Sequence, residues 1–421
     1  MGLVKITSVS GQEVLASGGY PTLQATVILD DQSSASVSVP YGVSTGSHEA
    51  VMLTDNDPTR YQGKGVLKAV QNIGQIIAPS IIGQPAENQQ QVDQIMIDLD
   101  GTPNKNRLGG NAILAISLAV AKATANSKNI PFYQYIIDTY QTQPNLKSLP
   151  KPMMVAIEGG KHAHQSTDLQ EYCLTALGHS SCEQSIESVL ETYHILEKVL
   201  SDHHLSTNVG NEGAFAPEGI ESNESPLKYL TQAIEQAGFK PGLDMGISID
   251  AAASEFYRDG QYHLCLEHQD MSSDQLIAYY SPWLDKYPII SVEDMLAEDD
   301  WPAWTKLTQI TQQHQILNLG DDLTATNVTR LQRAIDEKAI SAILIKLNQV
   351  GTLTETVQCC LLAGKHGLVT VPSHRGGGET NDTSLVDLAV AVGSSFIKVG
   401  PTRGERISKY NRLIEIEKGL Q

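Results

Sequence analysis

Six short apolar runs in the second half of this sequence each finish on an ionisable residue, and this constrains the fold more than any other feature. They are 245–250 (MGISID), 289–293 (IISVE), 316–321 (ILNLGD), 343–346 (ILIK), 368–374 (LVTVPSH) and 396–398 (FIK). From Glu293 onward the terminal groups recur every 24 to 28 residues, about one βα unit, and the larger gap before Glu293 leaves room for a longer loop. Buried parallel strands that each present one ionisable group at the C-terminal end are the pattern of a β/α barrel, whose C-terminal face carries the active site. A doubly wound open sheet is the alternative, but it gathers functional groups at one switch point, whereas six successive strands contribute here.

The first third reads as α+β. Residues 22–29 (TLQATVIL) and 34–39 alternate as strands, joined by a turn at Asp30-Asp31-Gln32. Apolar residues at helical spacing follow over 65–82, 87–99 and 110–127, the last with Leu114, Leu118 and Ala121 on one face. The polar, proline-bearing stretch 141–152 sets the expected boundary between an N-terminal domain, 1–140, and a barrel domain, 141–421.

With 29 Lys and Arg against 48 Asp and Glu, the net charge of −19 argues against phosphate-backbone binding and against a basic membrane-surface protein. Five cysteines without a CxxC or zinc spacing suggest free thiols in a reducing compartment. The N-terminus has no apolar signal core, and no apolar run is long enough to span a bilayer. A cytoplasmic protein is expected.

Asp250, Glu293 and Asp321 converge at the mouth of such a barrel. Three carboxylates together repel one another and call for a hard, oxygen-loving cation such as Mg²⁺; helix N-capping is the plain alternative for each. Lys346 and Lys398 end later strands, where a lysine either acts as a base of lowered pKa or forms salt bridges to those carboxylates. Glu171 and Glu212 fall in loop-like segments, and either is a candidate general acid, Glu212 more so because Gly210 and Gly213 flank it. Ser373-His374-Arg375 followed by Gly376-Gly377-Gly378 resembles an anion-binding loop. No phosphate-binding nucleotide motif occurs. Together these groups suit proton abstraction beside a carboxylate.

At this point the sequence resembles the enolase family over essentially its whole length. The resemblance rests on Ser44-Thr45-Gly46-Ser47, the segments 96–102 and 110–115, Asp168-Leu169-Gln170-Glu171, the segment 250–257, Ser291-Val292-Glu293-Asp294, Gly320-Asp321-Asp322-Leu323, Lys346-Leu347-Asn348-Gln349, Ser373-His374-Arg375 and Lys409-Tyr410-Asn411. It implies a small α+β domain followed by an atypical (β/α)₈ TIM-type barrel, a likeness that also carries a homodimer and a small phosphorylated acid as substrate. It implies two Mg²⁺, the first held by Asp250, Glu293 and Asp321, with Ser44 helping to close a loop over the second. It implies Lys346 as base, Glu212 as acid supported by Glu171, and Lys398 offsetting substrate charge. His162, Gln170, Glu171, His374, Arg375 and Lys398 would contact substrate, Arg375 at the phosphate.

The chain departs from the family pattern at several positions around these groups. DSRGNPT reads ASGGYPT at 16–22, and the SGAST loop begins with Tyr41 and carries Val43. The family's Asn is Glu158, its Asp is Asn211, and SHRSGET becomes SHRGGGET at 373–380, losing a hydroxyl and gaining a residue. Three activities are therefore in play: 2-phosphoglycerate dehydration, dehydration of a related phosphorylated or phosphonate acid, and a binding protein without catalysis.

Overall fold

A computed structural model describes residues 3–42, 46–164 and 166–420. Its N-terminal part is an antiparallel meander of β1 (Ile6–Leu15), β2 (Pro21–Leu29) and β3 (Ser34–Ser38) packed on helices. The turn after β2 closes where expected: Gln32 has φ 71°, and the Asp31 carboxylate accepts from the Ser33 N–H at 2.8 Å. β1 was not legible in advance, because only Ile6 and Val9 of its ten residues are buried and no alternation results. The helix Gly110–Ser127 forms over the expected span and is buried on nearly every side. The pattern over 65–82 resolves into Leu67–Asn72 and Ala78–Ile81 joined by a π-turn at Ile73–Ile77.

The second part is an eight-stranded barrel of β4 (Lys151–Glu158), β5 (Glu171–Ala176), β6 (Met245–Asp250), β7 (Ile289–Glu293), β8 (Leu317–Gly320), β9 (Ala342–Ile345), β10 (Val369–Pro372) and β11 (Phe396–Val399). Neighbours pair in chain order, and a Ser373–Lys398 bridge joins β10 to β11 and so to β4. β5 runs antiparallel to β4 and β6; every other pair between β6 and β10, and β11 with β4, is parallel. The wide gap before Glu293 holds a three-stranded ribbon and the helix Ser273–Lys286. Among the described residues no helix is long and apolar enough to cross a membrane.

A buried polar clasp ties the two parts together. Asp93, on the helix Gln89–Asp100, accepts from the Thr354 N–H at 3.1 Å and the Thr354 hydroxyl at 2.6 Å, at the start of the barrel helix Leu353–Lys365. Gln89 donates to its other oxygen at 3.0 Å. Burial nevertheless pushes the Asp93 carboxyl up to about 6 from 3.8. The native state then holds a proton that the unfolded chain has released, so this contribution to stability is full below pH 3.8 and is lost as pH rises through about 6. Asp93→Asn keeps the polar shape and removes the titration. Urea unfolding at pH 4 and pH 7 should therefore move the wild-type-to-variant gap in the variant's favour by on the order of 1–3 kcal/mol as pH rises; a gap independent of pH contradicts the assignment.

Candidate active site

Because β5 runs against its neighbours, its first residue lies where theirs end. Glu171 pairs with Glu158 at the end of β4 and with Asp250 at the end of β6, and Asp250 pairs with Glu293 at the end of β7. Glu171 is thus a strand residue and not, as its sequence context suggests, a loop residue. Lys398 of β11 offsets this crowd of charge. Its Nζ lies 2.8 Å from Glu171 Oε2, 2.9 Å from Asp250 Oδ2 and 2.7 Å from Glu293 Oε2. Burial favours the neutral amine, but Asp250, Glu171 and Glu293 outweigh it and hold the ammonium far above the usual lysine range. Burial, and then the charge of Asp250, push Glu293 well above the carboxylate range.

Asp321 follows β8 and Lys346 follows β9, where they meet. Lys346 Nζ donates to Asp321 Oδ2, and Gln349 Nε2 donates to Oδ1 at 2.7 Å. Burial works against the Lys346 ammonium and Asp321 restores it, so here the lysine is charged, in contrast to the lowered pKa that one reading of the sequence allowed. Asp294 turns the strand-end carboxylates into a cluster: it accepts from the backbone N–H groups of Asp321 and Asp322 at 3.0 and 2.8 Å.

These donors suit a hard cation. Asp294, Asp321 and Asp322 offer oxygens within 4.8 Å of one another. Glu293 Oε1 is buried with no hydrogen-bond partner among the described residues. Glu171, Asp250, Glu293, Asp294, Asp321 and Asp322 bring more negative charge than Lys346 and Lys398 offset, and oxygen donors of this kind match Mg²⁺. Ser44, the remaining expected metal residue, lies outside the described residues.

Glu212 sits fully buried in a turn beside this cluster. His162 Nδ1 lies 3.2 Å from its Oε1 and 3.0 Å from Glu171 Oε1; His374 Nε2 lies 3.2 Å from its Oε2. These are charge contacts without hydrogen-bond alignment, since among the described residues neither Glu212 oxygen has a hydrogen bond. Burial disfavours the His162 imidazolium, but Glu212 and Glu171 prevail and raise it to about 9. Burial and Glu171 work against the Glu212 carboxylate; His374 and His162 hold it below the usual range. Gln170 is buried alongside, its Nε2 reaching Asp250 Oδ2 at 3.5 Å and its Oε1 unpartnered among the described residues. His164, two residues on, is exposed.

Arg375 is buried with Nη1 2.9 and 3.1 Å from the two oxygens of Glu49, a residue of the N-terminal part. Its own backbone N–H donates to Glu379 Oε2 at 2.9 Å, and Lys409 Nζ holds the other Glu379 oxygen at 3.2 Å.

A family model for the enolase N-terminal domain matches residues 6–136, and one for the enolase C-terminal TIM barrel domain matches 146–421. The chain belongs to the enolase family. An enolase-family protein is a lyase-type enzyme, and Mg²⁺-dependent dehydration is the chemistry of the family. The expected residues Glu171, Asp250, Glu293 and Lys398 meet in one group, Asp321 and Lys346 in a second, and His162, Glu212 and His374 in a third.

The roles of two residues in this enolase-family site escaped sequence reasoning. Glu158 accepts from the backbone N–H groups of Glu212 and Ala214 at 3.0 to 3.2 Å and fixes the Glu212 turn. Burial, and then Glu212, push its carboxyl up to about 8. The signal existed: the run MMVAIE ends in Glu158 just as the later runs end in their ionisable groups. Gly376 also matters, because a Cβ there would lie 2.3 Å from His162 Nε2 and 2.7 Å from Glu212 Oε1. Gly376→Ala should therefore push His162 away from its carboxylates. The imidazole pKa, followed by NMR, should fall from about 9 toward the ordinary 6.5 while circular dichroism stays native; an unchanged titration contradicts the packing described.

Proposed function

We propose that this enolase-family protein dehydrates 2-phosphoglycerate to phosphoenolpyruvate, with Lys346 as base and Glu212 as acid. The observation that carries the reading is the division of labour at the barrel mouth. Lys346 has a single carboxylate partner, whereas Lys398 has three, and Glu212 sits among imidazoles on a separate loop.

Asp250, Glu293 and Asp321 would hold one Mg²⁺, with Ser44 near a second. Such an ion would supply positive charge to the substrate carboxylate as its α-proton leaves. Burial favours the neutral Lys346 amine wherever its pairing with Asp321 is lost, and that amine accepts the C2 proton. Lys398 stays charged among its carboxylates and supports the same negative charge. Glu212, ionised at rest, relays to the departing C3 hydroxide a proton taken from the His162 imidazolium. Glu171 holds His162 in place, and Gln170, His374 and Arg375 orient the acid, Arg375 at the phosphate. The family resemblance further supports a glycolytic role, a cytoplasmic setting and a homodimer.

Absorbance of phosphoenolpyruvate at saturating Mg²⁺ tests this reading. Lys346→Ala and Glu212→Gln should each lower kcat by about 10²–10⁴-fold, the usual worth of a positioned acid or base, with native circular dichroism. Wild-type protein that gives no turnover above the Lys346→Ala background contradicts it.

A further inference from the structure

A cavity of about 400 Å³, with Asn211 next to the acid Glu212 in its wall, is bounded by residues the chemistry above does not use. In a chain of net charge −19, no carboxylate among the described residues lines it; Lys64, Lys161 and His164 do. Lys64 Nζ stands 3.8 Å from the centre of the Tyr20 ring and makes no ion pair among the described residues. Lys161 has one partner, Glu255, at 3.1 Å. Such a lining attracts an anion.

A second observation also points to a ligand. Tyr41 lines the cavity at 7% exposure, and its hydroxyl has no hydrogen-bond partner among the described residues. The Tyr20 backbone acts on it electrostatically but does not meet hydrogen-bond geometry. The surroundings are shaped for this ring: a Cβ on Gly18 would lie 2.5 Å from the Tyr41 hydroxyl, and Tyr41-Gly42 pairs with Gly377-Gly378 as a two-residue ladder. Gly18, Tyr20, Tyr41 and Asn211, with the enlarged glycine loop at Gly377, are positions where the chain departs from the family pattern, and all border this one space.

Its neighbours in the chain point to the part of a substrate that would reach it. Asn211 precedes the acid Glu212, and Gly377 follows Gly376, which touches His162 and Glu212. The cavity therefore adjoins the loop that carries the acid, with Gly42 on its wall packed against Arg375, so on the dehydration reading it opens between the phosphate and the carbon that would lose hydroxide. We propose that it is a subsite for an anionic substituent on that carbon, so that the preferred substrate is a 2-phosphorylated 3-hydroxy acid bearing a second acidic arm. This rests on the dehydration reading above. The elimination is unchanged: the C2–H bond breaks to Lys346, the C3–O bond breaks, hydroxide leaves as water on the proton from Glu212, and the arm is untouched.

The test uses 2-phosphoglycerate and its 3-carboxy homologue, 2-phosphotartrate, with Mg²⁺. The wild type should turn over 2-phosphotartrate with kcat/KM about tenfold or more above that for 2-phosphoglycerate. Lys64→Met and Tyr41→Phe should each raise KM for 2-phosphotartrate by about five- to tenfold, the worth of one hydrogen bond or ion contact, and leave 2-phosphoglycerate kinetics within about twofold. Calorimetric binding to Lys346→Ala protein separates the subsite from the chemistry. Tighter binding of 2-phosphotartrate that Lys64→Met weakens supports the subsite even if neither acid is turned over, an outcome that would reject only the dehydration reading. Equal binding of the two acids, or variants that weaken both alike, overturns the proposal.

Discussion

One buried ammonium group organises the mouth of this barrel. Lys398, from the last strand, holds Glu171, Asp250 and Glu293 from three other strands within 2.9 Å. Stripping water from four charges is costly, and removing one partner from such a group commonly costs about 3–5 kcal/mol by leaving an uncompensated buried charge. The arrangement still carries more carboxylate than ammonium. The remaining imbalance falls on Glu293, Asp294 and Asp322, whose ionised forms burial and mutual repulsion oppose. A site strained toward accepting positive charge is suited to a divalent cation and an acidic substrate together.

The reversed strand β5 is what makes this grouping possible. A parallel β5 would send Glu171 to the far end of the barrel; run antiparallel, it sets Glu171 between Glu158 and Asp250. From there Glu171 touches both Lys398 and His162 and joins the charged cluster to the acid side of the site. The N-terminal part completes the site from outside through Glu49, which pairs with Arg375, and the barrel's own Gln349 reaches both Asp321 and Glu49.

Much of this was legible in the sequence because burial and chemistry mark the same positions. A strand buried on both faces reads as an apolar run, and an ionisable residue at its end stands out, as Asp250, Glu293, Asp321, Lys346, His374 and Lys398 do. Strand direction leaves no such mark: EYCLTA reads alike in either sense, so Glu171 looked like a loop residue. Contacts distant in sequence were equally silent. Nothing near Glu49 announces Arg375, and nothing in a run of three glycines announces that the first must leave room for His162 and Glu212. β1 was missed because a strand with two buried residues carries no period.

The most direct measurement of the central claim, that Lys346 takes a proton from the carbon next to a carboxylate before the C3–O bond is lost, is deuterium uptake. 2-Phosphoglycerate is incubated with Mg²⁺-loaded protein in D₂O, and the recovered acid is read by NMR. Deuterium should enter C2 with the wild type and with Glu212→Gln, and should not enter with Lys346→Ala. Exchange that survives Lys346→Ala, or its absence from the wild type, would contradict the assignment of the base.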